Sequence, residues 1–339
     1  MITIQPFSQT RDGRSVSKIL LKNKAGMEAH FLSYGVILQK LIVPETSEHF
    51  RDVVLGFDDL KSYEEDQSFI GQFVGRNANR IANAEITLEG QKVKLTANEG
   101  SNQLHGGFES FGKKIWEVEN LGDAVVFSYT SVDGEEGFPG TLKTQFFVKL
   151  KEDNNLEMRF ESKTDKETIV NLTRHEYFNL DEGASDSIKT HQLKINARMY
   201  LPKTVLNVPS GVMQPVLDSA FDLQESTVLK ERIEEIEGGF DHNYVLAENR
   251  NEEPAAILIS PNQKLKLEIY CSQPGIQFYS ANSMTNFKGK GISIKGPSAA
   301  LCLEPQHFPD TPNHDNFPTT VLKPASVYRH QINYKFYHE

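Results

Sequence analysis

Leu142-Lys143-Thr144-Gln145-Phe146-Phe147-Val148-Lys149-Leu150 sets apolar side chains mostly at even positions and polar ones mostly at odd positions. A period of two is the mark of a strand with one face buried and the other in water. The rhythm returns nearby, where Leu156, Met158 and Phe160 alternate with Glu157, Arg159 and Glu161. It recurs at Leu265, Leu267, Ile269 and Cys271, and again at Tyr328, His330, Ile332, Tyr334 and Phe336. Asp133-Gly134, Phe138-Pro139-Gly140, Asp153-Asn154-Asn155 and Ser260-Pro261-Asn262-Gln263 supply the turns between such runs. The pattern predicts an all-β fold, a large antiparallel β-sandwich, with residues 1–339 forming a single domain.

Helical signals are few. Val228, Leu229, Arg232, Ile233 and Ile236 make one stripe over about 227–237, stopped by Gly238-Gly239. A turn or two is expected around 60–65, capped by Asp58. No repeat, low-complexity tract or Pro/Ser-rich linker interrupts the chain.

With 339 residues, 38% hydrophobic and 10% aromatic, the chain can bury a large core. Its formal charge of −10 would repel phosphates, which argues against a nucleic-acid partner. No apolar run is long enough to span a bilayer, and the first residues show no basic-then-apolar leader. Cys271 and Cys302 both sit in strand-like apolar runs and read as buried reduced thiols. A cytoplasmic protein with no membrane association is the expectation.

Polar groups able to do chemistry interrupt the rhythm in several places. In Gly75-Arg76-Asn77-Ala78-Asn79-Arg80-Ile81 no Gly-Lys-Ser/Thr ending supports a phosphate loop, and an arginine there could grip vicinal hydroxyls, a carboxylate or a surface partner. Leu104-His105-Gly106-Gly107 pairs an imidazole with glycines that let backbone approach closely, as a ligand wall requires. In Val170–Leu180, alternation places Asn171, Thr173, His175 and Tyr177 on one face and Arg174 and Glu176 on the other. Phe240-Asp241-His242 and Gln273-Pro274-Gly275-Ile276-Gln277 add an acid, an imidazole and an amide. His105, His175, Asp241 and His242 lack the tight spacing of a zinc motif, so no metal is expected. No Gly-x-Ser-x-Gly elbow marks a serine hydrolase.

The last interruption is Ala299-Ala300-Leu301-Cys302-Leu303-Glu304-Pro305-Gln306-His307-Phe308-Pro309-Asp310. An apolar run ends in a carboxylate, which is costly to bury unless it is hydrogen-bonded, protonated or functional. Pro305 reads as the strand's end. Together these elements offer imidazoles, a guanidinium, amides, carboxylates and aromatic rings but no nucleophile motif, an inventory suited to a sugar and to proton transfer.

In this order the motifs resemble the aldose 1-epimerase (galactose mutarotase) family, together with Tyr34-Gly35-Val36-Ile37-Leu38 near the start. The resemblance spans nearly the whole chain. It implies a galactose mutarotase-like supersandwich that uses no cofactor and takes a monosaccharide as its partner. It also implies Glu304 as general base, His175 as general acid, and sugar binding by Asn79, Arg80, His105, Tyr177, Asp241 and Gln277. In those roles burial would raise the pKa of Glu304, while Asp241 could keep His175 protonated. Departures from the family's usual pattern are Arg174, Glu176 and Pro305. Alternation turns the first two away from the cleft, where a local ion pair is expected.

Two other readings stay open. A hexose-6-phosphate epimerase would need a basic cluster in the cleft, for which Lys288, Lys290 and Lys295 are candidates. A non-catalytic sugar-binding protein would need no acid–base pair. Preferred sugar and oligomeric state are not legible.

Overall fold

The strand Leu142–Leu150 lies inside a nine-stranded antiparallel sheet, hydrogen-bonded to Val125–Ser131 on one side and Asn155–Thr164 on the other. The computed structural model describes residues 1–46, 48–181, 187–247 and 252–338. In-register pairing sets Phe146 opposite Phe160 and Val148 opposite Met158, so one face of each strand is mostly apolar, and the buried Thr144 and Ser162 hydroxyls on it bond each other at 2.9 Å. The Phe146 and Phe160 rings lie 4.8 Å apart, and His330 from the next strand stacks on Phe160. On the solvent face Phe147 opposes Arg159, whose guanidinium lies 4.2 Å from the ring centroid.

Two five-stranded antiparallel sheets complete the layers. One runs from Ile2–Gln9 to Phe50–Asp52; the other orders Gln214–Pro215, Ala197–Leu201, Asp241–Leu246, Gly275–Tyr279 and Cys302–Gln306. Phe31 and Leu41 from the first, Ile276 and Leu303 from the second, and Phe146, Ile269 and Ile332 from the nine-stranded sheet share one apolar core. Each such side chain, fully removed from water, contributes about 1.5–3 kcal/mol. The expected all-β sandwich is therefore present.

The helices are short, as anticipated, with small differences at their ends. Leu60–Glu65 is capped by Asp59, whose Oδ1 accepts the Ser62 N–H at 2.9 Å, and not by Asp58. The second helix covers Leu229–Glu235. Thr227 and Val228, expected within it, instead pair with Leu193 and Gln192 at the sheet edge, where β-branched residues fit better.

Two corrections concern the cleft. Regular strand in the His175 segment is confined to Thr173–Arg174, paired with Val74 and Phe73. And the Glu304 strand does not end at Pro305: it continues to Gln306, which pairs with Gly275. It is the edge strand of its sheet, so a residue without an N–H leaves no ladder bond broken.

Candidate functional site

Glu304 is held by pairing with Gln277 in the neighbouring strand. The His175 segment is stitched to the same strand. Thr173 Oγ1 donates to Pro305 O at 2.7 Å, and Asn171 Oδ1 accepts the His307 N–H at 2.9 Å. Asn171 and Thr173 were expected on the cleft face; they are spent on this stitching, while His175 and Tyr177 do line the cleft. The cleft measures about 520 Å³, the scale of a monosaccharide site. At its floor His175 Nε2 faces Glu304 Oε1 at 3.7 Å, both side chains almost wholly buried.

Burial acts on the pair in opposite directions. It pushes the Glu304 carboxyl well above its ordinary range, helped by the charges of Asp241 and Glu176. It pulls His175 down to about 4, against the smaller upward influences of its own carbonyl and of Asp241. The idea that Asp241 keeps His175 protonated is thus corrected: desolvation wins. Asp241 is already engaged, with Gln277 Nε2 donating to Oδ1 at 2.7 Å and Lys203 and Arg80 on Oδ2 at 3.3 and 3.4 Å. Burial raises its pKa, but Lys203, Arg80 and Gln277 outweigh that and hold it below the usual carboxylate value.

Arg80 is gripped by Glu99, with Nε–Oε2 at 2.6 Å and Nη2–Oε1 at 2.8 Å. Its backbone is anchored by Asn79 Oδ1, which accepts the Arg80 N–H, and by Asp310, whose N–H donates to Arg80 O. Arg76 serves the fold instead. It is buried and donates to the carbonyls of Ser131, Val132, Pro139 and Gly140. The glycine after His105 serves the chain itself rather than a ligand. A Cβ at Gly106 (φ +86°) would sit 2.1 Å from Gly75 O.

Asn79, Arg80, His105, His175, Tyr177, Asp241 and Glu304 all line the cleft. Gln277 is buried and is not part of the lining; its amide reaches Asp241 instead. Sequence reading missed Phe69, Glu99 and Lys203. Phe69 packs edge-on against His105 at 4.6 Å and lies 5.9 Å from the His175 ring. It stands in an irregular segment at φ +58°, so no periodicity pointed to it. Glu99 and Lys203 are ordinary loop charges until the fold brings them to Arg80 and Asp241.

Donor atoms of His105, His175 and Glu304 lie within 4.8 Å of one another, a set that invites a metal reading. Hydrogen bonding argues otherwise. The Asn79 N–H donates to His105 Nδ1 at 3.2 Å, so the neutral ring carries its proton on Nε2. That nitrogen offers a donor, suited to a hydroxyl oxygen and not to a cation.

The basic hairpin named as a candidate for the alternative, phosphate-binding reading lies elsewhere. Lys290 is buried against Asp52 Oδ2 at 2.7 Å and the carbonyls of Gln39 and Val54, and none of Lys288, Lys290 or Lys295 lines the cleft. The cleft's own cations, Arg80 and Lys203, are matched by Glu99 and Asp241.

An antiparallel β-sandwich with a buried carboxyl–imidazole pair at the floor of a polar cleft is the architecture of the aldose 1-epimerase class of sugar isomerases. Residues 17–335 match the aldose 1-epimerase family model, and the chain belongs to that family of isomerases. A galactose mutarotase from Bos taurus is 37% identical over 312 residues, 91% of each chain. An aldose 1-epimerase from Escherichia coli (strain K12) is 33% identical over 334 residues, 96% of each. Among solved structures, an aldose epimerase homologue from C. elegans superposes with a TM-score of 0.88 at 31% identity, over 95% of this chain and 99% of its own. A galactose 1-epimerase from Lactobacillus acidophilus NCFM gives 0.86 at 25% identity over 100% and 99%.

Proposed function

We propose that this protein interconverts the α- and β-anomers of an unphosphorylated aldohexose such as galactose or glucose, with Glu304 as base and His175 as acid. The observation that carries the reading is the buried Glu304–His175 pair, 3.7 Å apart at the cleft floor. Glu304 takes the proton of the anomeric hydroxyl, and the O–H electrons become the C1=O bond. The C1–ring-oxygen bond breaks, and the ring oxygen takes the proton from His175 Nε2. After rotation about C1–C2, the ring oxygen attacks the other face of C1 and returns its proton to His175. Glu304 gives its own proton back to O1. The two residues end as they began.

Asn79, Arg80, His105 and Tyr177 hold the sugar hydroxyls and pack the ring, and Gln277 orients Asp241 to do the same. The absence of an unmatched cation among the described cleft residues disfavours a hexose phosphate. The acid–base pair disfavours a protein that only binds. Because cleft residues come from segments as distant as Phe69 and Glu304, the whole chain is read as one functional unit. Burial of Cys271 and Cys302 in separate sheets supports a reducing, cytoplasmic setting. No helix among the described residues is long and apolar enough to cross a membrane.

Polarimetry on freshly dissolved α-galactose and α-glucose tests the activity, and a rate no faster than the spontaneous one ends it. Glucose 6-phosphate anomerised faster than glucose would favour the phosphate reading instead.

Two expectations follow from the electrostatics. The pair must carry one proton to work. Burial favours the form with that proton on Glu304, the reactive form holds it on His175 Nε2, and because both carry one proton their ratio does not change with pH. Burial lowers the pKa at which the first proton leaves, to about 4 for His175, and raises the one at which the last leaves. The profile of kcat/KM against pH should therefore stay flat down to about pH 5 and decline only on the alkaline side. An acid limb centred near the ordinary histidine value of about 6.5 would show the imidazole unperturbed. Replacing Asp241 by Asn should raise KM roughly tenfold and leave kcat within a few-fold, because it weakens the charge that Arg80 and Lys203 share. A loss confined to kcat would contradict a binding role.

A further inference from the structure

Two imidazoles face the same cleft with their Nε2 atoms, yet proton transfer needs them in opposite states. His105 must donate from Nε2, and the Asn79 N–H arranges that by occupying Nδ1. His175 must carry a proton on Nε2 when it acts as acid and leave that atom bare afterwards, ready to take the proton back. That cycle works only if Nδ1 keeps its own proton throughout, since a neutral ring protonated on Nε2 cannot accept there.

A side-chain atom placed to hold that proton is the Cys302 sulfur. Cys302 Sγ lies 3.6 Å from His175 Nδ1, within reach for a bond to sulfur, and both groups are buried. Cys302 stands two residues before Glu304 on the same strand, so both side chains leave that strand on one face. One strand thus presents the base to one nitrogen of the imidazole and a sulfur to the other. Tyr177 stacks on the ring 5.1 Å away at 27°, and Phe69 and His105 bound it on other sides, so ring rotation is blocked. The thiol itself is kept un-ionised by burial, so it presents a neutral sulfur and no competing charge.

Resting on the acid role proposed for His175, we infer that Cys302 is a positioning residue: its sulfur accepts a hydrogen bond from His175 Nδ1–H and fixes the tautomer that leaves Nε2 free to exchange the catalytic proton. The backbone carbonyl of His175 acts in the same sense. Tautomer choice on a buried imidazole is set by whichever nitrogen finds a partner, and Cys302 Sγ is the side-chain partner that meets Nδ1 among the described residues. The oxidised forms of the thiol play no part.

The test reads the tautomer directly. In the unliganded wild-type protein, long-range ¹H–¹⁵N spectra, assigned with His175→Asn, should show His175 protonated on Nδ1 and bare on Nε2 at neutral pH. Cys302→Ala should bring in the Nε2–H tautomer. Activity should then fall about tenfold in kcat with KM little changed, as the competent form drops to roughly a tenth of molecules. Cys302→Ser, which keeps an acceptor at the same place, should restore the Nδ1–H tautomer and most of kcat. His175 protonated on Nε2 in the wild type, or an unchanged tautomer and kcat in Cys302→Ala, overturns the assignment. Should Cys302→Ala not fold, the wild-type spectrum and the serine variant decide alone. Failure of the acid role itself would look different: His175→Asn would then keep full turnover.

Discussion

Replacing Glu304 by Gln should lower kcat by about three orders of magnitude while sugar affinity stays within a few-fold of wild type. The amide keeps the volume and polar surface of the carboxylate but cannot take a proton, so the variant loses only what the transition state uses. Strand pairing with Gln277 is a backbone property and survives. Glu304 Oε2 has no protein partner among the described residues, so no buried contact is broken at that oxygen.

A second signature separates this loss from damage to the fold. Burial raises the folded-state pKa of Glu304 above its unfolded value, so ionising it costs stability. That cost is absent below the unfolded pKa of about 4.5 and grows as pH rises toward the folded pKa. The Gln variant, which never ionises, should therefore be at least as stable as wild type at neutral pH, with the difference vanishing near pH 4. Loss of turnover together with a lowered midpoint at neutral pH would point to misfolding instead. Polarimetry and denaturant titration at two pH values measure both.

The parts of this fold that could be read from sequence are those where one residue's neighbours repeat its environment. Leu142–Leu150 and Leu156–Phe160 lie in long ladders, so period two translates directly into buried and exposed faces. The His175 segment resisted because its backbone is anchored by side chains such as Thr173 and Asn171 more than by a ladder. Alternation sorted Arg174 and Glu176 correctly from His175 and Tyr177, yet could not tell which cleft-facing groups would be consumed in holding the next strand. Pro305 misled for a related reason. A proline ends a central strand but not an edge, and edge position depends on the whole sheet. Phe69, Glu99 and Lys203 carry no local pattern; only the fold brings them together. The protonation of His175 is not legible because the family resemblance places Asp241 in the same site but does not give the depth of burial, and burial has the stronger influence on the ring.

Arg174 and Glu176, which flank His175, supply the largest stability effect expected in this chain. Both are wholly buried, with Nη2–Oε1 at 2.6 Å and Nε–Oε1 at 2.8 Å. Tyr334 donates to Glu176 Oε2 at 2.7 Å, and Arg174 donates to Val36 O and Gly71 O at 2.7 and 2.9 Å. Arg174→Met removes the only cation facing Glu176 among the described residues and strands a carboxylate in the core. Such a loss costs about 3–5 kcal/mol. For a chain of this size that corresponds to a midpoint lowered by roughly 10 °C. Adding Glu176→Met removes the stranded charge and should recover most of the loss, since an apolar pair of similar volume often equals a buried ion pair. Recovery of stability should not bring full recovery of rate. Gly71 N–H donates to His175 O at 2.9 Å, so the guanidinium on Gly71 O also steadies the backbone that carries the imidazole proposed as the acid. The double variant should therefore fold normally yet turn over several-fold more slowly than wild type. Thermal unfolding and polarimetry on the single and double variants decide the matter. A single variant costing under about 1 kcal/mol would mean that the charge had found water or another partner, and the ion pair would no longer explain this part of the core.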